Sequence, residues 1–215
     1  LMVIKVTEHF AVLDKFMKKN DICVVAVSGA SGCGKTSLVK SLGDALNCPT
    51  LHFDDFVDEN TYPQDMALWL KQGCNTSLIQ TASFTQSITE LKSSNHSARY
   101  LFIEEPFGRG REVMTDLVDK VILLDTPLNI CLERIISRSQ IHTDKIKQQS
   151  GSPQKKSPSN QAQLDLYMSK YDAYLAEIYQ NCVEQVRDNC ELTLRGTKSI
   201  SSTSDEVILW LNGCE

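Results

Sequence analysis

The stretch Ile22-Cys23-Val24-Val25-Ala26-Val27-Ser28-Gly29-Ala30-Ser31-Gly32-Cys33-Gly34-Lys35-Thr36-Ser37-Leu38 decides the fold. Its first six residues are an unbroken β-favouring apolar run, the pattern of a strand covered on both faces of a parallel sheet. Gly29 to Thr36 then satisfy G-x-x-x-x-G-K-[ST] at each defined position. Glycines let successive backbone N–H groups curl around an anion, and the helix that follows through Leu38, Val39, Leu42 and Leu46 points its positive end at the same place. Lys35 supplies a point charge for the β- and γ-phosphates, and the Thr36 hydroxyl suits Mg²⁺. Gly29, Ala30, Ser31, Gly32, Cys33, Gly34, Lys35, Thr36 and Ser37 are therefore the expected ATP cradle. A strand before the loop and a helix after it separate this motif from an incidental glycine turn.

Outward from the loop, Pro49 to Phe53, Tyr100 to Ile103, Val121 to Leu124 and Leu192 to Leu194 read as further strands. Residues 63 to 93 read mainly as helix with Pro63 in a first turn, and helical spacing returns at Leu128 to Ile136, Leu164 to Ile178 and Val207 to Leu211. Strands alternating with helices predict an α/β domain with a parallel sheet. Residues 1–20 carry apolar positions at helical spacing and predict an amphipathic helix. Between Ser139 and Gln163 the chain turns to Ser, Gln, Lys and Pro, the composition of a mobile lid segment rather than a linker. At 215 residues the whole chain, 1–215, fits one domain.

Composition excludes several classes. With 22 basic against 27 acidic side chains the formal net charge is -5, which argues against a general grip on nucleic acid. No apolar run approaches the roughly 18 residues of a membrane span, and no basic flank precedes a long apolar stretch, so a cytoplasmic protein without a membrane partner is expected. The eight cysteines include no C-x-x-C pair and read as free thiols. His9, His52, His96 and His142 lack metal-ligand spacing and read as surface or structural; Tyr167, Tyr171, Tyr174 and Tyr179 read as packing and amphipathic surface. The Arg195-Gly196-Thr197 loop is a position where an adenine could rest.

Among nucleoside triphosphate users, a GTPase needs N-K-x-D and an ABC ATPase an L-S-G-G-Q-like signature, and neither occurs. Small-molecule kinases remain. They need a carboxylate beside the acceptor and a closing element that brings arginines onto the phosphates. Asp54 and Asp55 end the second strand, where open α/β sheets bind ligands, and only one of two adjacent side chains can face the γ-phosphate. The third strand ends in Glu104 and Glu105, then turns through Pro106 and Gly108 to Arg109 and Arg111. An apolar run closing in an acid resembles a strand whose carboxylate orders Mg²⁺. Arg109 and Arg111 could hold an acceptor or simply be exposed. Arg134 and Arg138, four apart, share a helical face just before the polar segment.

Together, Gly29 to Thr36, Phe53-Asp54-Asp55-Phe56, Ile103-Glu104 and the Arg134/Arg138 helix resemble the uridine kinase and nicotinamide riboside kinase group of P-loop kinases. The Tyr62-Pro63-x-Asp65-Met66 and Glu104-to-Arg109 segments look like those of bacterial uridine-kinase-like proteins. The resemblance implies a three-layer P-loop NTPase sandwich around a five-stranded parallel sheet. It also implies an ATP- and Mg²⁺-dependent phosphotransferase acting on a hydroxyl of a small molecule, a nucleoside or related metabolite. Lys35, Asp54, Arg134 and Arg138 would be catalytic, with Thr36, Asp54 and Glu104 at the metal. Asp54, Asp55, Glu105 and Arg109 would meet a small-molecule acceptor, in a monomer or homo-oligomer. Glu105-Pro106 and Asp55-Phe56-Val57 depart from the group's usual residues, and both departures fall in the acceptor pocket. The alternative is a P-loop ATPase or nucleotide-dependent switch acting on a macromolecule.

Overall fold

A computed structural model describes residues 22–94, 97–149 and 160–214. The helix expected over 1–20 and the central part of the expected lid, 150–159, lie outside the described residues. Five strands, β1 (Cys23–Ser28), β2 (Thr50–His52), β3 (Tyr100–Glu104), β4 (Lys120–Asp125) and β5 (Leu192–Arg195), form one all-parallel sheet in the order β2-β3-β1-β4-β5. The order reverses at β1, so the chain leaves β1 and β3 on opposite sides of a crevice at the strands' C-terminal ends, where such sheets take ligands.

Alternation along the strands builds two cores. Val24, Ala26, Leu101, Ile103 and Leu123 face one layer, which includes α2 (Met66–Lys71), α3 (Ala82–Ser93) and α6 (Ala176–Arg187). Val25, Val27, Phe102, Ile122 and Leu124 face the other, where α1 (Lys35–Leu46) and α7 (Ile200–Gly213) supply Leu38, Leu42, Val207 and Leu211. A strand buried on both faces reads as a continuous apolar run, which is why β1, β3 and β4 stand out in the sequence.

Three elements differ from the expectation. Pro63 lies outside any helix: α2 starts at Met66, where the Asp65 side chain caps the turn by accepting from Leu68 N at 2.8 Å. The polar stretch expected as a loop from Ser139 is helical: α4 runs Leu128–Gln149 without interruption. Gln, Ile and Lys are acceptable helix residues whatever their polarity, and the first strong breakers, Gly151 and Pro153, come after it. From 160 the chain is helical again, with α5 (Asn160–Lys170) joined to α6 through a π-helical turn, Tyr171–Leu175.

Gly43 marks how closely α1 lies on β2. A Cβ there would stand 2.4 Å from Thr50 Cγ2 and 3.1 Å from Cys48 O. Gly43→Ala should therefore destabilise the protein by about 1–3 kcal/mol through overpacking, outweighing the ~1 kcal/mol that alanine gains in a helix. Urea denaturation measures it; a variant as stable as the parent would show that α1 can lift off β2.

Candidate active site

The loop between β1 and α1 curls because its glycines sit where other residues cannot. Gly29 has φ 137° and its missing Cβ would stand 2.7 Å from Leu124 O; Gly32 has φ 83° and would place one 2.4 Å from Cys131 O. The loop opens onto a cavity of about 1110 Å³. Of the nine residues expected to cradle the nucleotide, eight line that cavity and Cys33 does not. Its side chain belongs to the core behind the loop, where burial raises the thiol pKa. The Cys33 N–H donates to Ala30 O at 3.2 Å.

Glu104 is the centre of the site. Sheet register places it beside Val27 of β1 and His52 of β2, between the phosphate loop and the turn that carries Asp54. Thr36 Oγ1 donates to Glu104 Oε2 at 2.8 Å, and His52 Nδ1 lies 3.2 Å from the same oxygen. Lys35 Nζ donates to Ala30 O at 3.1 Å and lies 3.8 Å from Glu104 Oε1. The Lys35 and Glu104 side chains are 7% and 5% exposed, so this charge pair sits in a partly desolvated corner. Among the described residues no three His, Cys, Asp or Glu side chains form a ready-made metal cage. The Thr36 hydroxyl with the carboxylates of Glu104 and Asp54 nevertheless fits Mg²⁺, which prefers hard oxygen donors. It is commonly held by one or two carboxylates together with substrate phosphates and water.

After β2 the chain enters a 3-10 turn, Phe53–Phe56, which buries Phe53 and leaves both aspartates exposed. Asp54 lines the cavity, whereas Asp55 stands outside the lining, so the expected acceptor contact by Asp55 is corrected: in so tight a turn successive side chains diverge. Although the residue reaches solvent, the cavity walls strip part of the hydration from the Asp54 carboxyl and push it above the ordinary carboxylate value, and the negative charge of Glu104 adds to the shift. Lys35 opposes the shift, Asp55 adds to it and Arg138 opposes it.

Two other expected acceptor contacts are also corrected. Glu105 is fully buried and ion-paired to Arg111, not open to the cavity. Arg109 donates to the carbonyls of Val118, Asp119 and Asn189 and pairs with Glu191 at 2.9 Å, which makes it a brace between loops. The two arginines of α4 divide. Arg134 lines the cavity, but its guanidinium donates to Cys33 O at 3.0 Å and Gly196 O at 2.9 Å, tying the phosphate loop to the loop after β5. Arg138 is exposed and also lines the cavity. The Arg195-Gly196-Thr197 loop contributes through its neighbours, since Lys198, Ser199 and Ile200 line the cavity instead.

Several residues at or beside the cavity were not singled out as site residues by the sequence. His52 bonds a carboxylate 52 residues away, a partner that spacing cannot reveal. Tyr62, Met66, Trp69, Phe107 and Tyr174 form an aromatic and apolar stretch of the wall. Tyr167, Tyr174 and Tyr179, expected as packing and surface, face the cavity from α5, the π-turn and α6. The Tyr167 and Tyr179 hydroxyls lie 3.5 Å apart, and Tyr179 reaches Ser31 of the phosphate loop.

No family model and no curated protein matches the chain. Solved structures do match. An unliganded sugar kinase from Janibacter sp. HTCC2649 is 15% identical, with 89% of this chain and 95% of that one covered at a TM-score of 0.50. The APS kinase of Mycobacterium tuberculosis, in complex with AMPPNP and APS, is 18% identical over 89% and 98% at 0.49. The deoxyadenosine kinase of M. mycoides with bound dATP is 11% identical over 88% and 99% at 0.48. At such identities the likeness concerns the fold, an α/β P-loop NTPase sandwich with a five-stranded parallel sheet. No helix among the described residues is long and apolar enough to cross a membrane.

The raised Asp54 pKa has a consequence for stability. Between its unfolded value and its higher folded value the native state binds more protons, so stability falls as pH rises through that window. Asp54→Asn removes the burden. The variant should melt above the parent at pH 7 by about 1–2 °C, a small margin because the group is solvent-screened. The difference should shrink as pH falls below about 4, where both states hold the proton. Melting curves at the two pH values test this; a variant less stable at pH 7 would mean that the Asp54 charge is net stabilising.

Proposed function

We propose that the chain is an ATP- and Mg²⁺-dependent kinase that transfers a phosphoryl group to a hydroxyl of a small molecule, a nucleoside or related metabolite. One observation carries this reading: a single cavity holds both the phosphate loop and an aromatic wall built from Tyr62, Met66, Trp69, Phe107 and Tyr174, with Asp54 on the lining they share. At about 1110 Å³ the cavity is at or above the upper end of ordinary single-ligand sites, roughly 300–1000 Å³. The sugar kinase neighbour is named for a small-molecule substrate, in keeping with the same chemistry.

The residues divide the work. The backbone of Gly29 to Thr36 and the N-terminus of α1 receive the phosphates. Lys35 is the cation for the β- and γ-phosphates; a phosphate offers it a stronger partner than the neutral Ala30 carbonyl to which it donates. Thr36, Glu104 and Asp54 would hold Mg²⁺, which when bound neutralises phosphate charge. His52, against Glu104, limits that carboxylate's freedom to turn. Asp54 accepts the proton of the acceptor hydroxyl, and its raised pKa makes it a better base than an ordinary carboxylate. Arg138 supplies a second cation toward the transferred group, while Arg134 braces the loop that holds the phosphates. The aromatic wall suits a planar ring, and with Arg109 and Arg111 engaged elsewhere the β3 exit loop offers no free cation for an anionic group.

Screening nucleosides, vitamin precursors and sugars for acceptor-dependent ADP release tests the reading; ADP released at one rate whatever the acceptor would sink it in favour of an ATPase or switch. Lys35→Ala should lower transfer at least ~10²-fold, about 3 kcal/mol of transition-state stabilisation, with the fold intact. Asp54→Asn should lower kcat roughly 10²-fold while ATP affinity changes only a few-fold, since ATP binding rests on backbone amides and Lys35. Steady-state kinetics and AMPPNP titration separate the two patterns; Asp54→Asn with full turnover would remove Asp54 as the base.

A further inference from the structure

Behind the cavity wall lies a charge pair that the mechanism above does not use. Glu105 and Arg111 are each 0% exposed. The Arg111 guanidinium donates from Nη2 to Glu105 Oε2, and from Nη1 to Thr81 Oγ1 at 2.6 Å and Ile79 O at 3.5 Å. The other Glu105 oxygen, Oε1, accepts from Phe107 N at 3.2 Å. Arg111 Nε is buried and has no partner among the described residues. A fully buried ion pair adds little to stability compared with apolar side chains of similar volume, and an orphaned N–H lowers its value further. Stability alone does not account for it.

Its contacts show what it does hold. The Arg111 Cζ lies 5.3 Å from the centre of the Phe53 ring, the residue immediately before Asp54. Phe53 in turn meets Tyr62 edge-on at 6.4 Å and Phe107 edge-on at 5.9 Å between ring centres. Tyr62 and Phe107 face the cavity; Phe53, Glu105 and Arg111 do not. The pair therefore grips both aromatic residues at once, Phe107 by its backbone N–H and Tyr62 through Phe53. The attachment of this turn to the phosphate loop is separate: Ser28 Oγ donates to Glu105 O at 2.6 Å and Gly29 N to Pro106 O at 3.5 Å, contacts to main-chain carbonyls that no substitution at 105 or 111 removes.

We propose that Glu105 and Arg111 are positioning residues for acceptor recognition, fixing the Phe53–Tyr62–Phe107 wall against which the acceptor ring lies without touching acceptor or nucleotide. The inference rests on the kinase reading. It also accounts for the acidic residue that follows Glu104: Glu105 does its work inside the wall.

The test combines steady-state kinetics, Mg-AMPPNP titration and thermal melting on the full chain. Uridine is the first probe acceptor, replaced by whichever alcohol of the screening panel the parent turns over best. The double variant Glu105→Leu/Arg111→Met removes both charges and fills the space with apolar side chains, so it should melt no lower than the parent. Its acceptor KM should rise about tenfold or more, with Mg-AMPPNP affinity within about two-fold of the parent's. Arg111→Lys keeps the charge but loses the fork and should move acceptor KM in the same direction; it decides the matter if the double variant does not fold. Unchanged acceptor KM in a folded variant overturns the proposal, as does a parallel loss of Mg-AMPPNP affinity, the mark of a general structural role. A parent protein that binds Mg-AMPPNP yet phosphorylates no alcohol of the panel overturns the kinase reading itself, and the inference with it.

Discussion

The carboxylate of Glu104 is the contact on which the site's geometry depends. Parallel register sets it between β1 and β2, and one side chain then takes up the Thr36 hydroxyl, lies near the Lys35 ammonium and meets the His52 ring. Three segments distant in sequence are thereby held to one corner. A single carboxylate offers about four acceptor positions, so a metal or a repositioned lysine can be accommodated without leaving the cluster empty. Partial burial strengthens each of these contacts, and the nearby Asp54, first by its own loss of hydration and then by the Glu104 charge, holds its proton more tightly.

The arginines show how a fold assigns one residue type to different tasks. Arg109 and Arg134 each end on backbone carbonyls, joining loops that no strand or helix joins. Arg134 is the more consequential, because Cys33 O belongs to the phosphate loop and Gly196 O to the loop after β5. Carbonyl oxygens turned toward a guanidinium are turned away from phosphate, so the tether also helps orient the amides of the phosphate loop toward the cavity. Of the two arginines of α4, Arg138 is the exposed one.

What could be read from the sequence was what is encoded locally. The apolar run of β1, the glycine pattern and the amphipathic α1 are contiguous, and each agrees with the others, so loop, cavity edge and sheet class followed directly. Facing was harder. Glu104 and Glu105 are adjacent and chemically alike, yet one points to the cavity and the other into the core; the deciding partner, Arg111, is itself buried, against what its charge suggests. Helical spacing from Leu164 to Ile178 predicts helix there but says nothing about whether a tyrosine meets core, solvent or cavity, and Tyr167, Tyr174 and Tyr179 meet the cavity. Polarity alone predicts a loop from Ser139 onward, yet a helix needs only permissive residues and an absence of breakers, which is what the chain supplies as far as Gln149.

The π-helical turn at Tyr171–Leu175 sets a rule for how this protein can change length. In a straight α-helix, positions twelve apart stand ~18 Å apart along the axis, yet the Tyr167 and Tyr179 hydroxyls meet at 3.5 Å from opposite sides of that turn. A π-turn amounts to one residue inserted into an α-helix. Deleting one residue within the turn would restore ordinary helical winding and leave α5 and α6 nearly in their present phase, because the wide turn already absorbs the extra residue. Deleting one between Tyr167 and the turn would instead swing Tyr167 by ~100° about the axis relative to α6. Tyr167 would leave both the cavity wall and its partner hydroxyl. Loops elsewhere can absorb insertions and deletions; along this rod only the π-turn can give up a residue, and on either side of it the residue count is part of the site.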